Sequence, residues 1–501
     1  MIRFFVWRLG LLVMLAAPAR VLAQSAVVQS ENAAAGFVED GNRALSEGNA
    51  LAAAENYRKA IEINPRDPKV HYNLSVALEH LGDIEGERKE LEQTVALNPN
   101  IAAAQNQLGW LALIDGHQDE AERRFKKTLA IDPKFAEAQN SLGVLYGQQG
   151  KNADAEQLFK QAIRNDPSYA QAYVNLGLLM EKRGETSESE KQFRAALKAD
   201  ANYPDAYAAL GMLELKEGRG PEALNNLREV VRLEPDSAEA HLNLGLALTD
   251  QLDRPGGFHE FSEAARLSPG LASAHYNLGR YFIDQGQYED ADKELETAIR
   301  LQPGYVSALY FLAVSAKQQG NLERSSELLK EVVALQPDNA DAHYLLGQNF
   351  EHDGDSAAAI EHWKAALKSQ PDDSQALYNL AKTLRKMHDP DAKQYQDRFD
   401  ALLKRAQIED RVSELGNVAL EAAAAQRWPQ ALQEMDEAIK VCGACSQSAH
   451  LHKNLGVFYS RMGKTDEARK EFQVALHLAP NDVDAKEALA NLDEVGTPQA
   501  K

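Results

Sequence analysis

Prolines recur at Pro65, Pro99, Pro133 and Pro167, and again at Pro235, Pro269, Pro303, Pro337 and Pro371. Each lies 34 residues from the next, apart from one missed slot at Ala201. So long a run of one spacing leaves room for little except a stack of identical units. With Ala34 as position 1, position 7 is Leu in nine of ten units, from Leu74 to Leu346. Position 8 is Gly in eight units, among them Gly41, Gly109, Gly177 and Gly347, and position 20 is small in nine. Position 24 is bulky throughout, as in Tyr57, Phe125, Phe193 and Trp363, and position 15 is Gly except at Leu252. The slots predict two helices per unit. Gly at 8 and a small residue at 20 let their backbones approach, and large residues at 7 and 24 fill the space beside that contact. Gly at 15 permits a positive-φ turn, and Pro at 32 ends the second helix.

Residues 34–373 thus form ten contiguous 34-residue units without insertion or deletion, and they resemble the tetratricopeptide repeat (TPR) family. The resemblance implies an all-α fold, a right-handed α-α superhelix (TPR solenoid) of about 12–13 repeats with a C-terminal capping helix. Beyond Pro371 the punctuation fades: His388 takes the turn-Gly slot, and Asp391 to Leu415 contains neither Gly nor Pro. Tyr395, Phe399, Leu402, Ile408, Val412 and Leu415 fall roughly on one helical face. Residues 374–411 are therefore expected to be a degenerate unit with a long fused helix. Two further units (412–482), a capping helix (483–494) and a disordered tail (495–501) complete the chain.

Ahead of the repeats, Arg3 and Arg8 flank an apolar run from Leu9 to Ala17, which Pro18 breaks, and Val21-Leu-Ala23 supplies a signal-peptidase pattern. The nine-residue apolar core falls well short of the roughly 20 residues that span a bilayer. The expectation is a cleaved signal peptide (1–23), a linker (24–33), no membrane span after cleavage, and a protein exported to the periplasm or secreted. Loss of Arg3, Arg8 and Arg20 would take the formal charge from −21 to −24. A surface this acidic argues against nucleic acid as a partner.

Several constellations bear on chemistry. His71, His241, His275, His343 and His452 repeat at position 4. Successive repeats hold equivalent side chains roughly 10 Å apart, too far to share one ion, so a packing role is expected and no metal. Cys442-Gly-Ala-Cys445 lacks the βαβ context of a thiol oxidoreductase, and Ser446 stands where a haem-attachment motif needs His. A disulfide stapling that loop is expected in an oxidising compartment; a zinc site with His450 and His452 is the alternative. No phosphate-loop, zinc-protease or serine-hydrolase motif occurs, and no segment of catalytic-domain size lies outside the repeats. No enzyme activity and no cofactor are expected.

The family resemblance directs attention to the groove, which TPR arrays line with the first helix of each pair. Position 6 is Asn at Asn73, Asn175, Asn243, Asn277, Asn379 and Asn454. This resembles the asparagine ladder of O-linked N-acetylglucosamine transferase, where amides hold a peptide backbone. An amide offers donor and acceptor together. Glu39, Ser141, Ala209, Phe311 and Leu345 interrupt the ladder, and the other reading is that Asn is simply tolerated before Leu-Gly. Position 5 is Tyr at Tyr276, Tyr310, Tyr344 and Tyr378, and Arg280, Lys317, Lys382, Arg385 and Lys386 add cations on the same face. The Lys/Asn carboxylate clamp of chaperone-binding relatives is missing. The predicted function is a non-enzymatic protein-interaction scaffold that binds protein or peptide segments, with the anionic end of the partner at Tyr378, Lys382 and Arg385. The competing readings are that these cations are solvated or pair with Asp389 and Asp391, and that the protein is a self-associating, homo-oligomeric module of an envelope assembly.

Overall fold

A computed structural model of the chain describes residues 32–495. The expected signal peptide (1–23), nearly all of the expected linker (24–33) and the expected tail from residue 496 lie outside the described residues. Compact packing divides the chain into two lobes, one ending at Ala274 and the other beginning at His275.

Lobe 1 is built of helix pairs: α1 (32–46) with α2 (Ala50–Ile63), and α3 (Pro68–His80) with α4 (Ile84–Leu97). Next come α5 (Ala102–Ile114) with α6 (Gln118–Ile131), and α7 (Ala136–Gln148) with α8 (Asn152–Asn165). The lobe continues through α9 (Ala170–Lys182) with α10 (Thr186–Ala199), α11 (Pro204–Lys216) with α12 (Gly220–Leu233), and α13 (Ala238–Asp250) with α14 (Arg254–Leu267). The lobe boundary falls within α15 (Ala272–Asp284).

Lobe 2 carries α16 (Tyr288–Leu301), α17 (Val306–Gln318) with α18 (Leu322–Leu335), and α19 (Ala340–His352) with α20 (Ser356–Ser369). It ends with α21 (Ser374–Lys386), α22 (Ala392–Ala424), α23 (Trp428–Cys442), α24 (Ser448–Arg461), α25 (Thr465–Leu478) and α26 (Val483–Val495). Within lobe 1, first helices pack on the first helices of the next pair (α5 on α7, α7 on α9, α9 on α11), which makes their side the inner side of the stack.

The contact inside each pair is that of position 8 with position 24. A Cβ on Gly109, Gly177 or Gly347 would stand 2.4–2.5 Å from the buried ring of Phe125, Phe193 or Trp363. Only hydrogen fits there. The turn between the helices has φ near +75° at Gly116, Gly150 and Gly184, where glycine carries no steric cost. Among the described residues, the non-glycine residues with positive φ are Leu252, His388 and Gln426, each in that same turn. Packing on both sides holds the turn in this conformation even where the favoured residue is absent.

Position 4 closes the joint between successive pairs. The ring Nε2 of His71, His241 and His343 faces the carbonyl of Pro65, Pro235 and Pro337, each at 3.1 Å. Gln105 and Gln139 donate to Pro99 and Pro133 in the same way, at 3.0 and 2.8 Å. The other histidine nitrogen meets a carboxylate on the second helix: His71 with Glu90, His241 with Glu260, His275 with Glu294 and His452 with Glu471, at 2.5–2.7 Å. The histidines tie helices together. Among the described residues no group of three or more His, Cys, Asp or Glu is placed to hold a metal.

The longest element is α22, of 33 residues. Its first turns pack Tyr395 and Phe399 against the core of α19–α21, while Val412, Leu415 and Ala419 enter a separate core with Met435 and Phe458. From Asp400 to Gln407 only Leu402 is as much as half-buried. With no Gly or Pro between Asp391 and Leu415 to end it, one helix serves two cores and bridges the solvent between them. At the end of α23, Cys442 and Cys445 are joined by a disulfide with Cα atoms 5.0 Å apart. So short a loop removes little entropy from the unfolded chain, and the bond adds little stability. No described helix is long and apolar enough to cross a membrane.

Candidate binding face on the first helices

The position-6 asparagines engage their neighbours. Asn73 Nδ2 donates to Asn42 Oδ1 (3.2 Å), which also accepts from the Tyr57 hydroxyl (2.8 Å). Asn175 Nδ2 donates to Asn140 Oδ1 (2.8 Å), and Asn379 Nδ2 to the Tyr344 hydroxyl (3.3 Å). Asn243 is half-buried and Asn277 buried. Asn73, Asn175 and Asn379 therefore tie successive first helices together, and each amide keeps its carbonyl and a second N–H beyond that bond.

In lobe 2 three of the four position-5 tyrosines pack against neighbouring aromatic rings. Tyr276 packs on Tyr305 (centroids 5.1 Å) and Phe311 (5.9 Å), and the Arg280 guanidinium lies over both Tyr276 and Phe311. Tyr310 meets Phe311 edge-on at 5.4 Å. Tyr378, which is exposed, packs tilted on Phe399, with ring centroids 5.5 Å apart. A polar chain crosses three repeats beside these rings. Lys317 Nζ donates to Gln348 Oε1, Gln348 Nε2 donates to the Tyr344 hydroxyl (2.5 Å), and that oxygen also accepts from Asn379. With two donors already on its oxygen, the Tyr344 hydroxyl keeps its own proton to give to a ligand acceptor. Burial pushes the Lys317 ammonium down from its usual range, and it raises Tyr310 to about 12, with Asp341 adding to the effect.

Two openings flank Tyr344. One, of about 720 Å³, is lined by residues that include Tyr310, Asp341, Tyr344, Leu345 and Asp373. The other, of about 240 Å³, lies among Tyr344, Ser374, Gln375, Tyr378, Asn379 and Phe399.

At the far end of α21, Lys382 is exposed, Arg385 donates to Gln396 Oε1 (2.7 Å), and Lys386 reaches Glu351 (3.2 Å). Pairing with Asp389 and Asp391 is not what is observed. Asp389 Oδ1 accepts the Asp391 backbone N–H (2.8 Å) inside the turn. Arg385 is held by a neutral group, and among the described residues its guanidinium has no carboxylate partner.

Family models described as tetratricopeptide repeat match residues 140–204, 282–348, 362–395 and 418–491, and one described as TPR repeat matches 41–82 and 212–251. The chain belongs to the tetratricopeptide-repeat family. The small glutamine-rich tetratricopeptide repeat-containing protein 2 of Mycosarcoma maydis is 32% identical over 82 residues, 16% of this TPR chain and 23% of that protein. Among solved structures, this TPR protein is similar to YrrB, described as a TPR protein with an unusual peptide-binding site. The identity is 22%, coverage is 37% of this chain and 95% of that one, and the TM-score is 0.32. It is also similar to PilF of Pseudomonas aeruginosa (21%, 44% and 97%, TM-score 0.39) and to the APC/C Cut9–Hcn1 hetero-tetramer (15%, 91% and 96%, TM-score 0.36). Proteins of this repeat family are in general scaffolds for protein interaction.

Proposed function

We propose that this TPR protein is an exported, non-enzymatic scaffold, working in the periplasm or outside the cell, that binds an extended segment of a partner protein along the first-helix face of lobe 2. The observation that carries the reading is the run Tyr310–Tyr344–Tyr378, with openings on either side of Tyr344 and two amides held at its hydroxyl. Tyrosines give contact area at low entropy cost and leave a hydroxyl for the backbone of the guest. Lys382 and Arg385, next to Tyr378 on α21, receive an acidic side chain or chain terminus of the segment, and Arg385 has the planar fork that matches a carboxylate. The leader pattern at 1–23 and the Cys442–Cys445 disulfide support the extracytoplasmic setting.

Replacing Lys382 and Arg385 together by Glu tests this reading. Both side chains are exposed, so the melting temperature should hardly move. Capture of the partner from the native envelope fraction should weaken by at least about 2 kcal/mol, some 30-fold. Undiminished capture contradicts the reading.

A further inference from the structure

The larger opening beside Tyr344 has a charge character opposite to that of Lys382 and Arg385. Tyr310 and Tyr344, one repeat apart at position 5 of α17 and α19, line it. Asp341 stands in the first turn of α19, and Asp373 caps α21, accepting the Gln375 and Ala376 N–H groups (2.8 and 3.0 Å) through Oδ1. That leaves Asp373 Oδ2 outside the cap, and among the described residues Asp341 has no hydrogen-bonded or ion-paired side-chain partner. A third rim carboxylate, Asp372, is paired with Arg405 of α22 (3.8 Å), and Arg398 of the same helix donates to the Pro371 carbonyl (2.7 Å). The two open carboxylates act on the tyrosines themselves. After burial, Asp341 is what raises Tyr310, and Asp373 is among the causes that raise Tyr344.

We propose that this cavity takes the cationic side chain of a lysine or arginine carried by the bound segment, its stem between Tyr310 and Tyr344 and its charged head at Asp341 and Asp373. This rests on the reading that the first-helix face of lobe 2 binds a polypeptide. Aromatic faces attract a cation and cover the methylenes that a long basic side chain would otherwise leave in water. The carboxylates accept from the ammonium or guanidinium with charge assistance. An aliphatic side chain of the same length gains the apolar contact alone, and an acidic one meets two like charges. From Ser374 to Arg385 the rise of α21 is about 16 Å, which roughly five residues of extended chain span. The segment therefore carries a base and an acid about five residues apart, and the two ends of the face set its direction.

The test is an array of acetylated, amidated nonapeptides of Ser, Ala and Tyr. Each holds one Asp and, five residues before or after it, Arg, Lys, norleucine or Glu. The probes are the full chain, the double variant Asp341→Asn/Asp373→Asn, and Lys382→Glu/Arg385→Glu. Asn at 373 keeps an N-cap acceptor, so α21 starts as before, and a circular-dichroism melt checks this. Arg and Lys peptides should outbind norleucine by at least about tenfold. That preference should fall below about twofold in the Asp341→Asn/Asp373→Asn variant. The Lys382→Glu/Arg385→Glu variant should bind more weakly overall and keep the preference. Norleucine binding as well as Arg, or a preference that survives Asp341→Asn/Asp373→Asn, overturns the inference and leaves groove binding standing. Failure of every peptide to bind overturns both.

Discussion

Truncating Phe193 to alanine is expected to cost about 3–5 kcal/mol. The ring is fully buried between α9 and α10 and lies directly against Gly177, so its removal leaves a hole that the two backbones, already in contact, cannot close. The same geometry predicts strong coupling. A Cβ at position 177 would lie 2.5 Å from Phe193 Cε1, so Gly177→Ala alone should cost about 2 kcal/mol, in spite of alanine's better helix propensity. In a Phe193→Leu background the same change should cost less, although a Cβ facing leucine, at Gly211 or Gly279, would still stand 2.9 or 2.5 Å from it. The chain already contains that solution: Ala313 pairs with Leu329 and Ser75 with Leu91, and every aromatic at position 24 from Tyr57 to Trp363 faces a glycine. Urea unfolding of the four proteins, with hydrogen exchange read over residues 170–199, measures the coupling, because each repeat is stabilised mainly by its neighbours. Additive losses would contradict the pairing.

Glu87 yields the second large effect, and its sign depends on pH. It occupies the small-residue position 20 of the second repeat and is 5% exposed. Burial, reinforced by Glu79 and opposed by Arg88, pushes its carboxyl up to about 7. A carboxyl raised in the folded state binds its proton more tightly there than in the unfolded chain. Stability is therefore fully present below the unfolded value of about 4.5 and is lost as pH climbs through 7, by about 3 kcal/mol in all. Glu87→Gln removes the ionisation and keeps the shape. It should stabilise the protein by up to about 3 kcal/mol at pH 8 and change little at pH 4. Urea midpoints at the two pH values decide it, and an unchanged pH slope in the variant would contradict the assignment.

The repeat architecture was legible because it rests on contacts that admit a single residue type. Gly177 against Phe193 is such a contact, and it recurs at a fixed spacing. The fusion of α22 was legible as an absence, since nothing between Asp391 and Leu415 stops a helix. Where selection is less strict, the pattern misled. Leu252 and His388 read as departures from the turn slot, yet the backbone there keeps positive φ, and Gln426 does the same with nothing in the sequence to mark it. The position-4 histidines stood out as a column. Their partners 19 residues on, a glutamate in four repeats and His362 in the fifth, did not, because those residues look like any exposed helix residue until the two helices are packed.

The binding face was legible only in part. Tyr276, Tyr310, Tyr344 and Tyr378 share one position and so declared themselves. The chain Lys317–Gln348–Tyr344–Asn379 draws on four different positions in three repeats and has no period to find. The acids of the larger opening were hidden for a similar reason: Asp341 sits in the first turn of α19 and Asp373 at the cap of α21, where carboxylates are common for helix-terminal reasons alone.

The most direct test of peptide capture by lobe 2 is site-specific photocrosslinking in the native host, with a benzophenone amino acid placed in turn at Tyr344, Tyr378, Lys382 and Glu331. The first three lie on the first-helix face, and Glu331 is exposed on α18, a second helix. Adducts are expected from the three face positions, mapping to one contiguous segment of one partner protein, and none from Glu331. Equal adducts from Glu331, or face adducts that map only to a second copy of this chain, would contradict peptide capture by lobe 2.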